Sequence, residues 1–164
     1  MRIERTAHLA QVNIARLHTP LDRPELADFV ARQDELNALA DRSPGFVWRL
    51  QGHEGYVRPY EDRRILFNLS VWEGVEPLRD YVYGSAHVEV VRRRREWFSK
   101  LGRVHAALWW VRYGHRPSID EATERLTHLE TYGPTPHAFS FQATFPPAGW
   151  DAPCDGLSAH ADLR

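Results

Sequence analysis

The stretch that decides the fold is ILFNLSVW, residues 65–72. Successive side chains of a β-strand point to opposite faces of its sheet, so residues two apart share a face. One face of a strand here carries only apolar side chains, those of Ile65, Phe67, Leu69 and Val71. The opposite face carries Leu66, Asn68, Ser70 and Trp72. The pattern therefore predicts a sheet with one apolar face and one partly polar face.

Two more predicted strands divide their faces in the same way. In HLAQVNIARL, residues 8–17, Gln11 and Asn13 alternate with apolar side chains. In GFVWRLQG, residues 45–52, Arg49 lies opposite the aromatic side chains. We expect the polar faces to coincide, which groups the side chains of Asn13, Arg49, Asn68 and Ser70. Because polar groups covered by helices need hydrogen-bond partners, these side chains bond either one another, as a network that only fixes the fold, or a ligand.

The rest of the chain predicts an α+β order. Strands are predicted over residues 8–17, 45–52, 65–72, 104–113 and 138–145. Helices are predicted over 24–42, in two pieces across 76–102, and from Ser118 to about Thr131, where Ser118 and Glu121 have the form of a capping box. The order β-α-β-β-α-β with an added helix and strand favours an α+β, ferredoxin-like antiparallel sheet with helices on one face, of the dimeric α+β barrel type.

The apolar face of such a sheet needs a cover of its own. Helices on one face leave the other exposed to water, and a second copy of the sheet is the simplest cover. A sandwich of two sheets within one chain is the alternative, but the predicted strands are too few for it. We therefore expect a homodimer.

Composition narrows the classes of partner. The 164 residues suit one domain, predicted over 1–145, and the 21 basic and 22 acidic residues create no field that would attract nucleic acid or a membrane surface. A single cysteine, Cys154, excludes an internal disulfide. The first residues contain no apolar run long enough for a signal peptide or membrane span, so we expect a cytoplasmic protein.

Residues 146–164, PPAGWDAPCDGLSAHADLR, have no periodic apolar pattern and are predicted to form a flexible tail. Removal of residues 150–164 should therefore leave the fold and any activity nearly unchanged. A thermal melt of the truncated chain checks this. A fall in melting temperature of more than about 5 °C, which at this size means well over 1 kcal/mol, would show that the segment is structural.

Aromatic side chains supply further candidates for a ligand pocket. They make up 12% of the chain, and six of them are tryptophans. Rings of this size line a core, an interface or a cavity. The candidate substrate-binding residues are Arg49, Ser70, Trp48, Trp97 and Trp109. The nine histidines include no pair with the i, i+4 or i, i+2 spacing of a typical metal site, so no metal is expected.

Several motifs resemble known families. NLSVW, Asn13 on the first strand and His87 in YGSAH are similar to the antibiotic-biosynthesis monooxygenase group of dimeric α+β barrels. The longer motifs AQVNIARL, SPGFVWRLQG, NLSVW, RRREWF and LWWV more closely resemble family 3291 of the domains of unknown function. This second resemblance extends from about Ala7 to Phe145.

The monooxygenase resemblance implies a cofactor-independent enzyme that oxidises electron-rich phenols with molecular oxygen, or a related cyclase or isomerase acting on an aromatic or polyketide-like substrate. It implies that Asn13 and Asn68 are amide donors, that Trp72 is an indole donor and ring wall, and that His87 accepts a proton. Donors fixed around a developing anion in a dry cavity are strong catalysts. Two alternatives remain: a haem protein with His87 as the iron ligand, and a non-catalytic binder of small molecules.

Overall fold

The computed structural model describes residues 6–20, 22–51, 60–84, 88–89 and 92–149. The strands within these residues are β1 (Ala7–Leu17), β2 (Phe46–Arg49), β3 (Ile65–Trp72), β4 (Phe98–Ser99) and β5 (Ala106–Arg112). The helices are α1 (Ala27–Arg42), α2 (Val75–Val82), α3 (Arg94–Trp97) and α4 (Ile119–Tyr132), and a 3-10 turn, Pro24–Leu26, precedes α1. No helix in the described part of the chain has the length and apolar character needed to cross a membrane.

The strands form one antiparallel sheet with β1 and β3 at its centre. β2 pairs with the outer edge of β3, while β5 and the short β4 pair with different parts of the other edge of β1. Since β4 and β5 pair with the same edge of β1, they together take the place of a single fourth strand. The strand order across the sheet is then 4-1-3-2, which is the ferredoxin-like arrangement. The predicted α+β class with a ferredoxin-like antiparallel sheet is confirmed, and the dimer of the predicted barrel type stays a prediction. Helices do not lie on one face alone, because α4 packs on the other.

The two crossover helices α1 and α2 pack on the face of the sheet that carries Asn68 and Ser70. We call this the polar face. Apolar clusters lie at its two ends. One contains Leu9, Ala40, Trp72, Leu78, Leu108 and Phe139, and the other contains Leu17, Leu26, Phe29 and Trp97.

The added helix α4 packs on the opposite, apolar face. Its inward side chains, Ala122, Leu126 and Leu129, join a core with Val12, Leu69 and Trp109 of the sheet. A helix of the same chain thus covers part of the face for which the sequence predicts a second copy. Several side chains of that face stay only partly buried, among them Trp48, Leu50, Ile65 and Phe67.

One of the two hydrogen bonds of the predicted capping box forms at the start of α4. The Ser118 hydroxyl accepts a hydrogen bond from the backbone N–H of Glu121 at 3.1 Å. The Glu121 carboxylate does not return the bond. It accepts one from the indole N–H of Trp109 at 3.0 Å and lies 2.7 Å from Nε2 of His115. The indole of Trp109 is buried and needs an acceptor, which explains where the carboxylate goes.

The prediction of a strand over residues 138–145 is wrong. In its place, one pair of backbone hydrogen bonds joins Phe139 to Leu108 of β5, and a second bridge, between Ser140 and Ala143, turns the chain away. The segment is nevertheless docked. The Phe139 side chain is fully buried, and the indole N–H of Trp110 donates to the carbonyl of Phe145 at 2.7 Å.

The second strand is shorter than predicted, and it contains a bulge between Phe46 and Trp48. The extra residue brings Phe46 to the polar face beside Arg49, whereas Trp48 lies on the apolar face, opposite Arg49. The strand follows Gly45, whose φ of +80° favours glycine. A Cβ at Gly45 would lie 2.5 Å from Cβ of Pro77, so no larger residue fits without movement.

Candidate functional site

Two asparagines lie opposite each other at the centre of the polar face. Asn13 of β1 and Asn68 of β3 are register partners, so their Cβ atoms are about 5 Å apart. Both are half-buried. Within the residues that the structure describes, neither side-chain amide makes a hydrogen bond, not even to the other. Neither amide is among the buried polar groups without a partner in the described residues, so both are open to solvent and available to bond a ligand.

The next residues along the same strands are, in contrast, bonded to one another. The indole N–H of Trp72 donates to the Ser70 hydroxyl at 2.9 Å, and that hydroxyl donates to the Gln11 side-chain carbonyl, also at 2.9 Å. Trp72 is buried between Tyr81, stacked at 5.1 Å, and the edge of Phe46 at 5.4 Å. These groups hold each other in place beside the free amides.

Helix α1 contributes polar side chains above the sheet. Residues three or four apart share a helix face, so Gln33 lies on the same side of α1 as the buried Phe29 and Leu36. Gln33 is half-buried, and its amide donates weakly to Asn37 at 3.4 Å. The sequence reasoning missed Gln33, although the helical period through its buried neighbours indicates the inward position.

Arg49 is the positive group on this face. Its guanidinium makes two hydrogen bonds to the Asp41 carboxylate of α1, at 2.7 and 3.2 Å. The hydrogen bond from Arg49 holds the pKa of the Asp41 carboxyl below its ordinary value, so the ion pair persists at neutral pH. The pair joins α1 to β2 beside Ser70, the register partner of Arg49.

Tyr81 of α2 closes the end of the polar face near Trp72. Its hydroxyl donates to the backbone carbonyl of Leu36 at 3.1 Å. Burial raises the pKa of the Tyr81 phenol to about 12, so it stays protonated at neutral pH. This residue was not among the sequence-based candidates, because its helical position gives no sign that it reaches α1.

The structure brings most, but not all, of the predicted site residues together. Asn13, Asn68, Ser70, Trp72 and Arg49 share the polar face, and Trp97 lies in the apolar cluster at one end of it.

Two predicted tryptophans lie on the opposite face. Trp48 lies there by its alternation with Arg49 in β2, and Trp109 by the alternation of β5, where its ring is buried beneath α4. The structure therefore does not bring Trp48 or Trp109 to the polar face, which corrects their predicted place in the site. His87 lies outside the described residues, so its predicted roles as proton acceptor and haem ligand stay predictions.

Comparison with known proteins identifies one family. The family described as Domain of unknown function (DUF3291) matches residues 8–155. The resemblance inferred from the motifs is thereby confirmed. No curated protein matches the chain.

Solved structures with similar folds come from distant proteins. SnoaB, a cofactor-independent oxygenase from Streptomyces nogalater, is 16% identical, with 68% of this chain and 96% of SnoaB covered at a TM-score of 0.43. A conserved protein from Methanosarcina mazei is 14% identical, with 68% and 98% covered and a TM-score of 0.47. A candidate antibiotic biosynthesis monooxygenase from Chloroflexus aurantiacus is 13% identical, with the same coverage and a TM-score of 0.43.

Proposed function

We propose that this chain, which belongs to the DUF3291 family, is a cofactor-independent enzyme that acts on a small aromatic or polyketide-like substrate on the polar face of its sheet. The observation that carries the proposal is the pair of amides of Asn13 and Asn68, which have no hydrogen-bond partner among the described residues and lie beside the bonded side chains of Ser70 and Trp72. The two amides are thereby left available to a ligand.

The surroundings of the two amides suit a ligand that is apolar with oxygen substituents. The polar zone lies between two apolar clusters, one around Trp72 and one around Phe29 and Trp97. We propose that a flat aromatic body lies between these clusters, with its oxygen atoms accepting hydrogen bonds from Asn13 and Asn68. Trp72 already donates its N–H to Ser70, so we assign it to positioning rather than to direct contact with the substrate.

The proposed reaction is oxygenation of an activated ring carbon. The substrate loses a proton from a ring CH₂ group and becomes a carbanion stabilised as a phenolate-like enolate. This anion supplies the electrons that reduce molecular oxygen. One oxygen atom stays on the carbon as a carbonyl, and the other leaves as water with the two hydrogens of the CH₂ group. The amides of Asn13 and Asn68 donate hydrogen bonds to the enolate oxygen, where the charge develops.

An oxygen electrode tests this proposal. The purified chain is incubated with a panel of hydroxylated anthrones and naphthols, and oxygen uptake is compared with that of buffer alone. We expect enzyme-dependent uptake of one O₂ per substrate oxidised, with one atom of ¹⁸O₂ in the product. Tight binding of the same compounds without turnover would favour the non-catalytic binder, and neither binding nor turnover would contradict both.

We also propose that the chain forms a homodimer through the part of the apolar face that α4 leaves open. Phe67 and Trp48 lie there, half-buried. Stable interfaces of this kind bury at least about 2,000 Å² in total. Sedimentation at micromolar concentration should give twice the chain mass of 19.0 kDa, and Phe67→Glu should shift it to the monomer. A folded wild-type monomer at that concentration would contradict the proposal.

A further inference from the structure

Three side chains that can bind a metal ion lie close together at the end of α4. Glu124 and His128 are four residues apart, so they lie on one side of the helix, a turn from each other. The chain then reverses at Gly133, whose φ is 72°, and brings His137 back alongside. One possible ligand atom from each of the three residues lies within 4.8 Å of the other two.

Contacts within this cluster already hold the three side chains near one another. Nε2 of His137 lies 2.8 Å from Oε1 of Glu124, and the rings of His128 and His137 are 4.5 Å apart. The Thr135 hydroxyl accepts a hydrogen bond from the backbone N–H of His137 at 3.2 Å and lies 3.0 Å from Nε2 of His128. Only small movements are therefore needed to direct the three ligand atoms at one point.

We propose that Glu124, His128 and His137 bind a divalent transition-metal ion, zinc in the first place. Two imidazoles and one carboxylate are a typical donor set for Zn²⁺, and a site with three protein ligands leaves a fourth position for water. The ion takes the place of the direct contact between Nε2 of His137 and Oε1 of Glu124. Glu124 and His137 are about half exposed, so ions reach the site from solvent.

Charges around the cluster both help and oppose a cation. A glutamate carboxyl is charged at neutral pH, and the Glu124 carboxylate faces the His137 ring and the Arg125 guanidinium. A groove on the surface of α4 is lined by Asp120 together with Glu124 and His128, and Asp120 adds a negative charge to it. The Arg125 guanidinium contacts both Glu124 and His137 and must give up these contacts when the ion binds. It can do so towards Glu121, which lies 4.0 Å from it.

This site is independent of the proposed enzymatic site, because α4 packs on the other face of the sheet from Asn13 and Asn68. The sequence search overlooked it for a simple reason. The spacing of histidine pairs does not reveal it, because the helical pair here is a glutamate and a histidine, and the third ligand comes from beyond a turn.

Zinc titration of the full chain, freed of any affinity tag and treated with a chelator, tests the proposal. Competition with a fluorescent zinc indicator should show one Zn²⁺ bound per chain at micromolar concentration. His128→Ala and His137→Ala should each weaken binding at least about tenfold, since the loss of mere outer-shell partners already costs about 10–100-fold. Cobalt(II) in place of zinc should give visible absorption bands that change in both variants.

The matched control is His115→Ala. His115 is also an exposed imidazole paired with a carboxylate of α4, at 2.7 Å from Oε2 of Glu121, but it belongs to no such three-residue group among the described residues. Zinc affinity should stay unchanged in this variant. Circular dichroism confirms that each variant is folded, and Glu124→Gln provides a further variant of the same shape. Absence of zinc binding, or equal binding by wild type and the His128 and His137 variants, would overturn the proposal.

Discussion

Asn68→Ala is expected to lower kcat/KM at least about tenfold, which corresponds to 1.4 kcal/mol of transition-state stabilisation, while the melting temperature stays nearly unchanged. The reason is that the Asn68 amide has no hydrogen-bond partner among the described residues, so its removal leaves no group of the protein unsatisfied. The lost partner is the substrate. Steady-state kinetics on the substrate found by oxygen uptake, together with a thermal melt, measures both quantities.

Ser70→Ala is the matched control, because Ser70 lies on the same face of the same strand but is fully bonded. Its removal leaves the indole N–H of Trp72 and the side-chain carbonyl of Gln11 without their partner. We expect this change to cost about 1–3 kcal/mol of stability. If Asn68→Ala melts as early as Ser70→Ala, or retains wild-type turnover, Asn68 is structural and the proposed function loses its main support.

Local patterns along the chain predict β1 and β3 and the faces of their side chains well. The alternation in residues 65–72 gives the bounds of β3 and the side on which Asn68 lies, because one apolar face leaves a single register for the strand. Ser118 likewise marks the start of α4, since a hydroxyl that bonds a free backbone N–H is a local signal.

Features that depend on distant parts of the chain are not predictable in this way. The bulge in β2 moves Phe46 to the face of Arg49, and no feature within residues 45–52 marks the extra residue. The amphipathic period of α4 indicates that one side is buried, but not against which face of the sheet. That α4 packs over Trp109 is shown only by the core that the helix and this side chain share. The proposed metal-binding group likewise requires the turn that returns His137 to the helix.

Phe139→Ala is expected to be the most destabilising single change considered, at about 3–5 kcal/mol. Phe139 is fully buried and packs with Leu9, Trp72 and Leu108, although it lies in an irregular segment after the last helix. A cavity at this point cannot collapse easily, because the backbone of Phe139 is held to Leu108 by two hydrogen bonds of 2.8 Å. For a chain of this size the melting temperature should fall by roughly 6–20 °C.

A comparison of Phe139→Ala with Phe141→Ala separates the cost of removing a buried ring from the cost of removing any aromatic ring in this segment. Phe141 is only half-buried, with Tyr83 at 6.1 Å and the Arg79 guanidinium at 5.7 Å from its ring, so we expect a cost of about 1 kcal/mol. Urea denaturation of both variants gives the two free energies of unfolding. Equal and small costs would mean that the segment after α4 does not belong to the core. A large cost at Phe139 alone would show that the cooperative fold extends beyond the last helix. The segment would then belong to the cluster that contains Trp72 and closes this end of the polar face.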